Sequence, residues 1–257
     1  MHTPHRTVAS LLPSLRFFVL AAIVASPAWA GHPVDVAYFV YDEDSTVPRN
    51  FRRALTADDG FRLRAVTPRG IVGSELEGAD VVIFPGGSGS KQSRALGDEG
   101  LEAVRAYVRD GGGYVGVCAG AYLASAEYSW SLGVINSRVI DRKHWARGTG
   151  SVSLSLSEQG REVLGEDRDR VDVYYGQGPL LAPAISPGLP PYTPLALYES
   201  GIAKRGAPEG VMRGTTAVAS AEFGNGRVLV FSPHPEKTEG LGGMLAAGVR
   251  WAADAGR

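Results

Sequence analysis

The chain has 257 residues, 44% of them hydrophobic and 21% charged, with a formal net charge of −1. That is the make-up of an ordinary globular protein with a sizeable core, and it excludes a disordered chain. The small net charge also removes the bulk electrostatic case for nucleic acid or an acidic membrane surface as partner.

The first thirty residues differ from the rest. Arg6 and Arg16 precede the apolar stretch FFVLAAIVA, and SPAWA follows with Ala28 and Ala30 in an A-x-A arrangement. This is the three-part layout of a secretory signal peptide. The apolar run, about 10–15 residues, falls short of the roughly 20 that span a bilayer. An uncleaved N-terminal anchor is the alternative. The expectation is a signal peptide over residues 1–30, cleavage after Ala30, and a secreted or periplasmic mature protein with no stable membrane span. Residues 31–257 then form a single domain.

From residue 34 the pattern alternates. VDVAYFVY (34–41) is an apolar run of strand length, and Pro48 opens a helix through RNFRRALTAD. FRLRAVT (61–67) and ADVVIF (79–84) are further strands, the second ending in the glycine-rich turn PGGSGS. LEAVRAYVRD places Leu101, Val104 and Val108 on one helical face, and Gly111–Gly113 end that helix. YVGV (114–117) is a buried strand that runs into Cys118. Strand and helix in alternation predict a parallel sheet covered on both faces, with its functional loops at the strands' carboxyl ends. The second half is richer in strands: SVSLSLS, VDVYY, TPLALYES, and TTAVASAEF joined through GNG to RVLVFS as a hairpin. Residues 176–194, heavy in Pro and Gly, read as a long loop, and GLGGMLAAGVRWAADA reads as a closing helix.

Cys118 is the only cysteine, so it has no internal disulfide partner. An odd thiol in an exported protein is a liability that asks for a reason. Taken alone it reads as a buried, inert small hydrophobe. Its setting says more. Strand, then G-V-C-A-G, then the small-residue helix start AYLAS has the form of a nucleophile elbow, with glycines two before and two after the nucleophile making room for the turn. A helix N-terminus favours thiolate over thiol. It also offers the Ala119 N–H as an oxyanion donor. Gly86 or Gly87 in PGGSGS supplies the second donor.

A thiol doing acyl transfer needs a base. Beyond the leader the histidines are His32, His144 and His234. His32 lies near the expected new terminus and reads as solvated, as does His144 in the polar loop DRKHWARG. His234 in VLVFSPHPE follows an apolar strand, and Glu236 comes two residues later. Cys118, His234 and Glu236 form a nucleophile, base and orienter.

FPGG, GGGYVGVCAGAYLAS and FGNGRVLVFSPHPE, in that order, resemble class I glutamine amidotransferase-like domains. VIFPGGSGSKQSRAL, VRAYVRDGGGYVGVCAGAYLAS and VDVYYGQGP look more narrowly like the biotin-protein ligase N-terminal domain family. The resemblance covers most of residues 34–251. It implies a flavodoxin-like, doubly wound, mostly parallel sheet with an added antiparallel strand region in the second half. It carries over Cys118, His234 and Glu236 as a catalytic triad and Gly86, Gly87 and Ala119 as the oxyanion cradle. Tyr122, Tyr175, Gly176 and Gln177 fall near the substrate pocket. Glutamine-using members carry G-x-C-x-G-x-Q; here that position is Tyr122, so glutamine does not carry over as substrate. Neither a synthase partner domain nor a biotin-ligase catalytic domain is read in the chain, and biotin ligation is not expected.

No P-loop implies ATP, and no His/Cys cluster at ligand spacing implies a metal, so no cofactor is expected. The sequence supports a cysteine-nucleophile hydrolase acting on a small amide or peptide. The alternative is a non-catalytic ligand-binding module whose pocket is lined by Tyr122 with Tyr114, Tyr128, Trp130, Tyr174 and Tyr175. A third reading makes DRKHWARG a docking loop for a protein partner.

Overall fold

Val34–Phe39 (β1) reads VDVAYF, and its side chains alternate between the two faces of a sheet. Val34, Val36 and Tyr38 pack into one core, Ala37 and Phe39 into another. A strand buried on both faces needs helices above and below it. The structure, a computed structural model, describes residues 32–256, so the expected signal peptide and its cleavage point lie outside the described residues.

After β1 come α1 (Arg49–Ala54), β2 (Phe61–Val66), α2 (Pro68–Val72), β3 (Val81–Phe84), α3 (Gly89–Arg109), β4 (Gly113–Val117) and α4 (Ala119–Ala124). The second half holds β5 (Ser137–Ile140), β6 (Gly150–Leu156), α5 (Glu158–Leu164), β7 (Arg170–Tyr175), β8 (Leu180–Pro183) and β9 (Thr193–Tyr198). It ends with β10 (Thr216–Phe223), β11 (Gly226–Phe231) and α6 (Gly242–Ala253). The sheet runs β2-β1-β3-β4-β11-β10-β9-β6-β7. Its first five strands are parallel, and the remainder pair antiparallel. Phe51 of α1, Leu164 of α5 and Leu245 of α6 fill the core on one face. Ile71 of α2, Val104 of α3 and Leu123 of α4 fill the other. This is the expected α/β class: a doubly wound, mostly parallel sheet with an antiparallel extension.

Two expectations are corrected. The helix expected from Leu101 begins at Gly89, where the Ser88 hydroxyl accepts a hydrogen bond from Lys91 N–H, and it breaks at Gly97 with φ 63°. Its front half, SKQSRALGDEG, is mostly polar and so shows no apolar periodicity. The loop expected over residues 176–194 contains β8, which pairs antiparallel with β5 and touches β10. Its sequence, LLAP, is too short to stand out between glycines and prolines. Helix α5 and strand β5 also escaped the sequence reading.

The topology decides where the site lies. β4 sits between β3 and β11, all three parallel. Their carboxyl ends deliver Pro85–Gly87, Cys118 and Ser232–Glu236 to one edge of the sheet.

Candidate active site

The chain passes from β4 to α4 through a single residue, Cys118, at φ 52° and ψ −95°. Positive φ in a residue with a side chain costs about 1–3 kcal/mol and persists only where its surroundings hold it. Here the Cys118 N–H donates to Phe231 O at 2.7 Å, and its carbonyl accepts from Ala121 N–H at 3.1 Å. The flanking glycines are a matter of space. A Cβ on Gly120 would lie 2.1 Å from the Phe84 carbonyl oxygen, and one on Gly116 would lie 2.6 Å from the Gly120 carbonyl. The turn is tight enough that backbone occupies the room a side chain needs.

The thiol is 6% exposed and donates to Gly176 O at 3.5 Å. Burial pushes it up to about 11; the Lys237 charge pulls it down, the Glu236 carboxylate adds to the rise, and the backbone N–H groups of Ala119 and Gly87 pull it down. Burial thus works against the thiolate expected at a helix N-terminus. Helix α4 has only six residues, and desolvation outweighs its end. The same two N–H groups point at the sulfur.

His234 is fixed by its backbone. Its N–H donates to Tyr174 O at 2.8 Å, and its carbonyl accepts from the Thr238 hydroxyl at 2.9 Å. Its Nδ1 lies 2.7 Å from Glu236 Oε1, both side chains being almost wholly buried. Glu236 Oε2 has no hydrogen-bond partner among the described residues. In the tautomer with the proton on Nδ1, this carboxylate accepts its hydrogen bond and the lone pair stands on Nε2. The ring is boxed between two glycines. A Cβ on Gly86 would lie 2.8 Å from His234 Cε1, 3.6 Å from its Nε2 and 3.7 Å from Cys118 Cβ. A Cβ on Gly176 would lie 2.5 Å from Nε2. The imidazole and Cys118 thus border the same space at Gly86, while the thiol donates to Gly176 O and forms no hydrogen bond with the ring. Of the two glycines expected in the cradle, Gly87 bears on the sulfur and Gly86 makes room for the ring.

A cavity of about 620 Å³ opens over Cys118. Gly87 and Ala119 lie at its floor with the thiol, and Tyr122, Gly176 and Gln177 line it as expected. The Tyr122 hydroxyl donates to Gln177 O at 3.4 Å, tying two of these walls together. Tyr175 is not on the wall. It is fully buried, and its hydroxyl donates to Gly178 O at 2.9 Å, so it supports the pocket from behind. Tyr114 is likewise core, donating to Gly120 O at 2.8 Å under the elbow. Tyr128 and Trp130 do line the cavity. Sequence reasoning missed Arg142, Lys143 and Trp145, which complete the wall. They come from the segment read as a solvated or partner-docking loop, in which His144 is half-buried with Nδ1 2.6 Å from Asp141 Oδ1. Only the Trp in an otherwise charged stretch signalled a surface with a purpose.

Residues 75–146 match the family model described as biotin-protein ligase, N terminal. A chain of PurLQS from Thermotoga maritima superposes with TM-score 0.59 at 15% identity, covering 85% of this chain and 99% of that one. The chain has the glutamine amidotransferase-like fold. A glutamine amidotransferase from Thermotoga maritima agrees, with TM-score 0.51, 13% identity, and 80% and 77% coverage. A β-galactosidase from Bacillus circulans sp. alkalophilus also contains the fold (TM-score 0.52, 16% identity), matching 84% of this chain but 31% of that one. An uncharacterized protein of Chlamydia muridarum is 37% identical over 54 residues, so the match spans only 21% of this chain and 21% of that protein. The same sheet therefore serves amidotransferases and part of a glycosidase, and the chemistry has to be argued from the site.

Proposed function

We propose that this amidotransferase-like protein is an exported cysteine hydrolase that cleaves a small amide or peptide through Cys118, His234 and Glu236. The observation that carries the reading is the space at Gly86, bordered by a buried imidazole paired with a carboxylate and by Cys118 on a strained elbow. His234 Nε2 takes the thiol proton as sulfur attacks the carbonyl carbon. The carbonyl oxygen becomes an oxyanion held by the N–H groups of Gly87 and Ala119. The intermediate collapses, the C–N bond breaks, and the imidazolium returns its proton to the leaving amine. Water, deprotonated by the same imidazole, then attacks the thioester; the acid leaves and the thiol regains its proton. Because burial keeps the resting thiol protonated, proton transfer accompanies attack instead of preceding it. Glu236, with one oxygen otherwise unpartnered, stabilises the imidazolium that forms between the two transfers.

Export rests on the leader: Arg6 and Arg16, the apolar run and the A-x-A site. Among the described residues no helix is long and apolar enough to cross a membrane. Biotin ligation is not part of the reading. The test is acyl transfer from p-nitrophenyl acetate, followed by release of p-nitrophenolate and by mass spectrometry. We expect an acetyl group on Cys118, none on Cys118→Ser, and a rate about 10²–10⁴-fold lower in His234→Ala. Unmodified Cys118 in the native protein, or an undiminished rate in His234→Ala, overturns the reading in favour of the binding module.

A further inference from the structure

The side chains that line the rest of the cavity have a definite chemistry. Arg142 and Lys143 both line it, and none of its lining residues is acidic. Arg142 is partly engaged: its Nη1 lies 2.9 Å from Glu127 Oε1, and its guanidinium stands 4.5 Å from the centroid of the Tyr128 ring. Lys143 is exposed and forms no ion pair among the described residues. Tyr128 stacks on Trp130 at 4.5 Å and 17°, and with the Arg142 guanidinium over the same ring it is already covered by its neighbours. Trp145 is 55% exposed at the rim, a large aromatic side chain left in water. The volume is that of a site for a drug-sized ligand, which spans about 300–1,000 Å³.

An unpaired ammonium and an uncovered indole on one wall of a cavity are both stabilised by the same kind of occupant. We propose that the cavity selects amides that carry a flat, unsaturated or aromatic segment bearing a carboxylate. The carboxylate meets Lys143 with support from Arg142. The flat segment lies against Trp145, where stacking adds to plain burial. Tyr122, closing the cavity through Gln177, leaves the scissile carbonyl at the floor beside Gly87 and Ala119. This names the substrate class of the acyl-transfer site just described and rests on that reading, but binding tests it without catalysis.

The probe is 4-acetamidobenzoate, compared with its methyl ester and with N-acetyl-β-alanine, titrated calorimetrically into Cys118→Ser protein at low salt. The acid is expected to bind at least tenfold tighter than the ester, which lacks the charge, and than N-acetyl-β-alanine, which lacks the ring. Lys143→Ala and the double change Arg142→Ala/Lys143→Ala alter exposed side chains, so they are expected to fold normally by circular dichroism. They are expected to erase the preference for acid over ester, as is 0.5 M salt in the unchanged cavity. Equal binding of acid and ester, no detectable binding of the acid, or a preference that survives the double change overturns the proposal. If p-nitrophenyl acetate acylates Cys118 while the acid shows no preference, only the substrate class fails. If the acid binds as expected and Cys118 is never acylated, only the chemistry fails.

Discussion

The floor and the wall of the cavity are built by different means. The floor is backbone: Cys118 is held by the Phe231 carbonyl, its flanking glycines touch carbonyl groups, and the His234 ring stands between Gly86 and Gly176. Most of these contacts depend on three neighbouring parallel strands ending together, and Gly176 is brought in by the end of β7, bridged to His234 through Tyr174. The wall is side chains on irregular segments between α4 and β6, several of them exposed. A floor of this kind tolerates no change, whereas a wall of this kind is free to vary without disturbing the sheet. That is one physical reason a single fold serves enzymes with unrelated substrates.

The sharpest way to break the floor while sparing the wall is Gly86→Ala. The added methyl group would sit 2.8 Å from His234 Cε1, and the ring has no room to retreat because Glu236 holds Nδ1 and Gly176 lies close to Nε2. A displacement near 1 Å costs on the order of a hundredfold in rate. Acyl transfer is expected to fall by about that factor, while binding of 4-acetamidobenzoate stays near native. Matching losses in both assays would mean that floor and wall are not separable.

The floor also makes a prediction about protonation. Burial raises the Cys118 thiol from 9.0 to about 11, so at neutral pH the thiolate fraction is about a hundredfold below that of an unburied thiol. The sign follows: the raised group keeps its proton as pH climbs past the ordinary value and loses it only near 11. The difference in absorbance at 240 nm between native protein and Cys118→Ser should therefore stay flat from pH 6 to 9 and rise above pH 10. Thiolate absorbance at pH 7 would show a preformed ion pair with His234 and remove the coupled proton transfer proposed above.

The same contrast explains what could be read from the sequence. Gly116 and Gly120 around Cys118, Pro85–Gly87 after a buried strand, and Glu236 two residues beyond His234 are all local signals. Each marks a backbone that has no alternative, so it shows in a short stretch of sequence. The alternating strands likewise wrote the sheet, because both of its cores demand apolar residues at fixed spacing. Arg142, Lys143 and Trp145 follow β5, which is placed by its long-range pairing with β8. No spacing in the sequence encodes that pairing. Tyr175 misled for the opposite reason: its neighbour Gly176 is at the site, but strand alternation turns the Tyr175 ring into the core. The thiol's protonation was also illegible, since burial by distant segments, not the helix end beside it, decides it.

The wall has its own anchor, and removing it gives the smallest but most discriminating effect. Arg147 is 2% exposed, and its two terminal nitrogens donate to Asp141 Oδ2 at 3.1 Å and to the Asp141 carbonyl at 3.3 Å. Burial opposes ionisation of Asp141, but hydrogen bonds from His144 and Arg147 prevail and hold its carboxyl below the usual range. The stabilisation is therefore complete above the ordinary aspartate value and lost as acid carries the pH down through the lowered one. Arg147→Ala should cost about 2–3 kcal/mol in urea unfolding at pH 7, less than for a pair with both partners fully buried, because Asp141 still touches water. Arg142, Lys143 and Trp145 lie inside the loop that this pair closes. Loosening it should weaken 4-acetamidobenzoate about tenfold while leaving acetylation of Cys118 by p-nitrophenyl acetate within about twofold of native, since the floor is pinned elsewhere. Loss of acetylation on the same scale would show that Arg147, whose charge also bears on Tyr175 and Tyr122, steadies the floor as well as the wall.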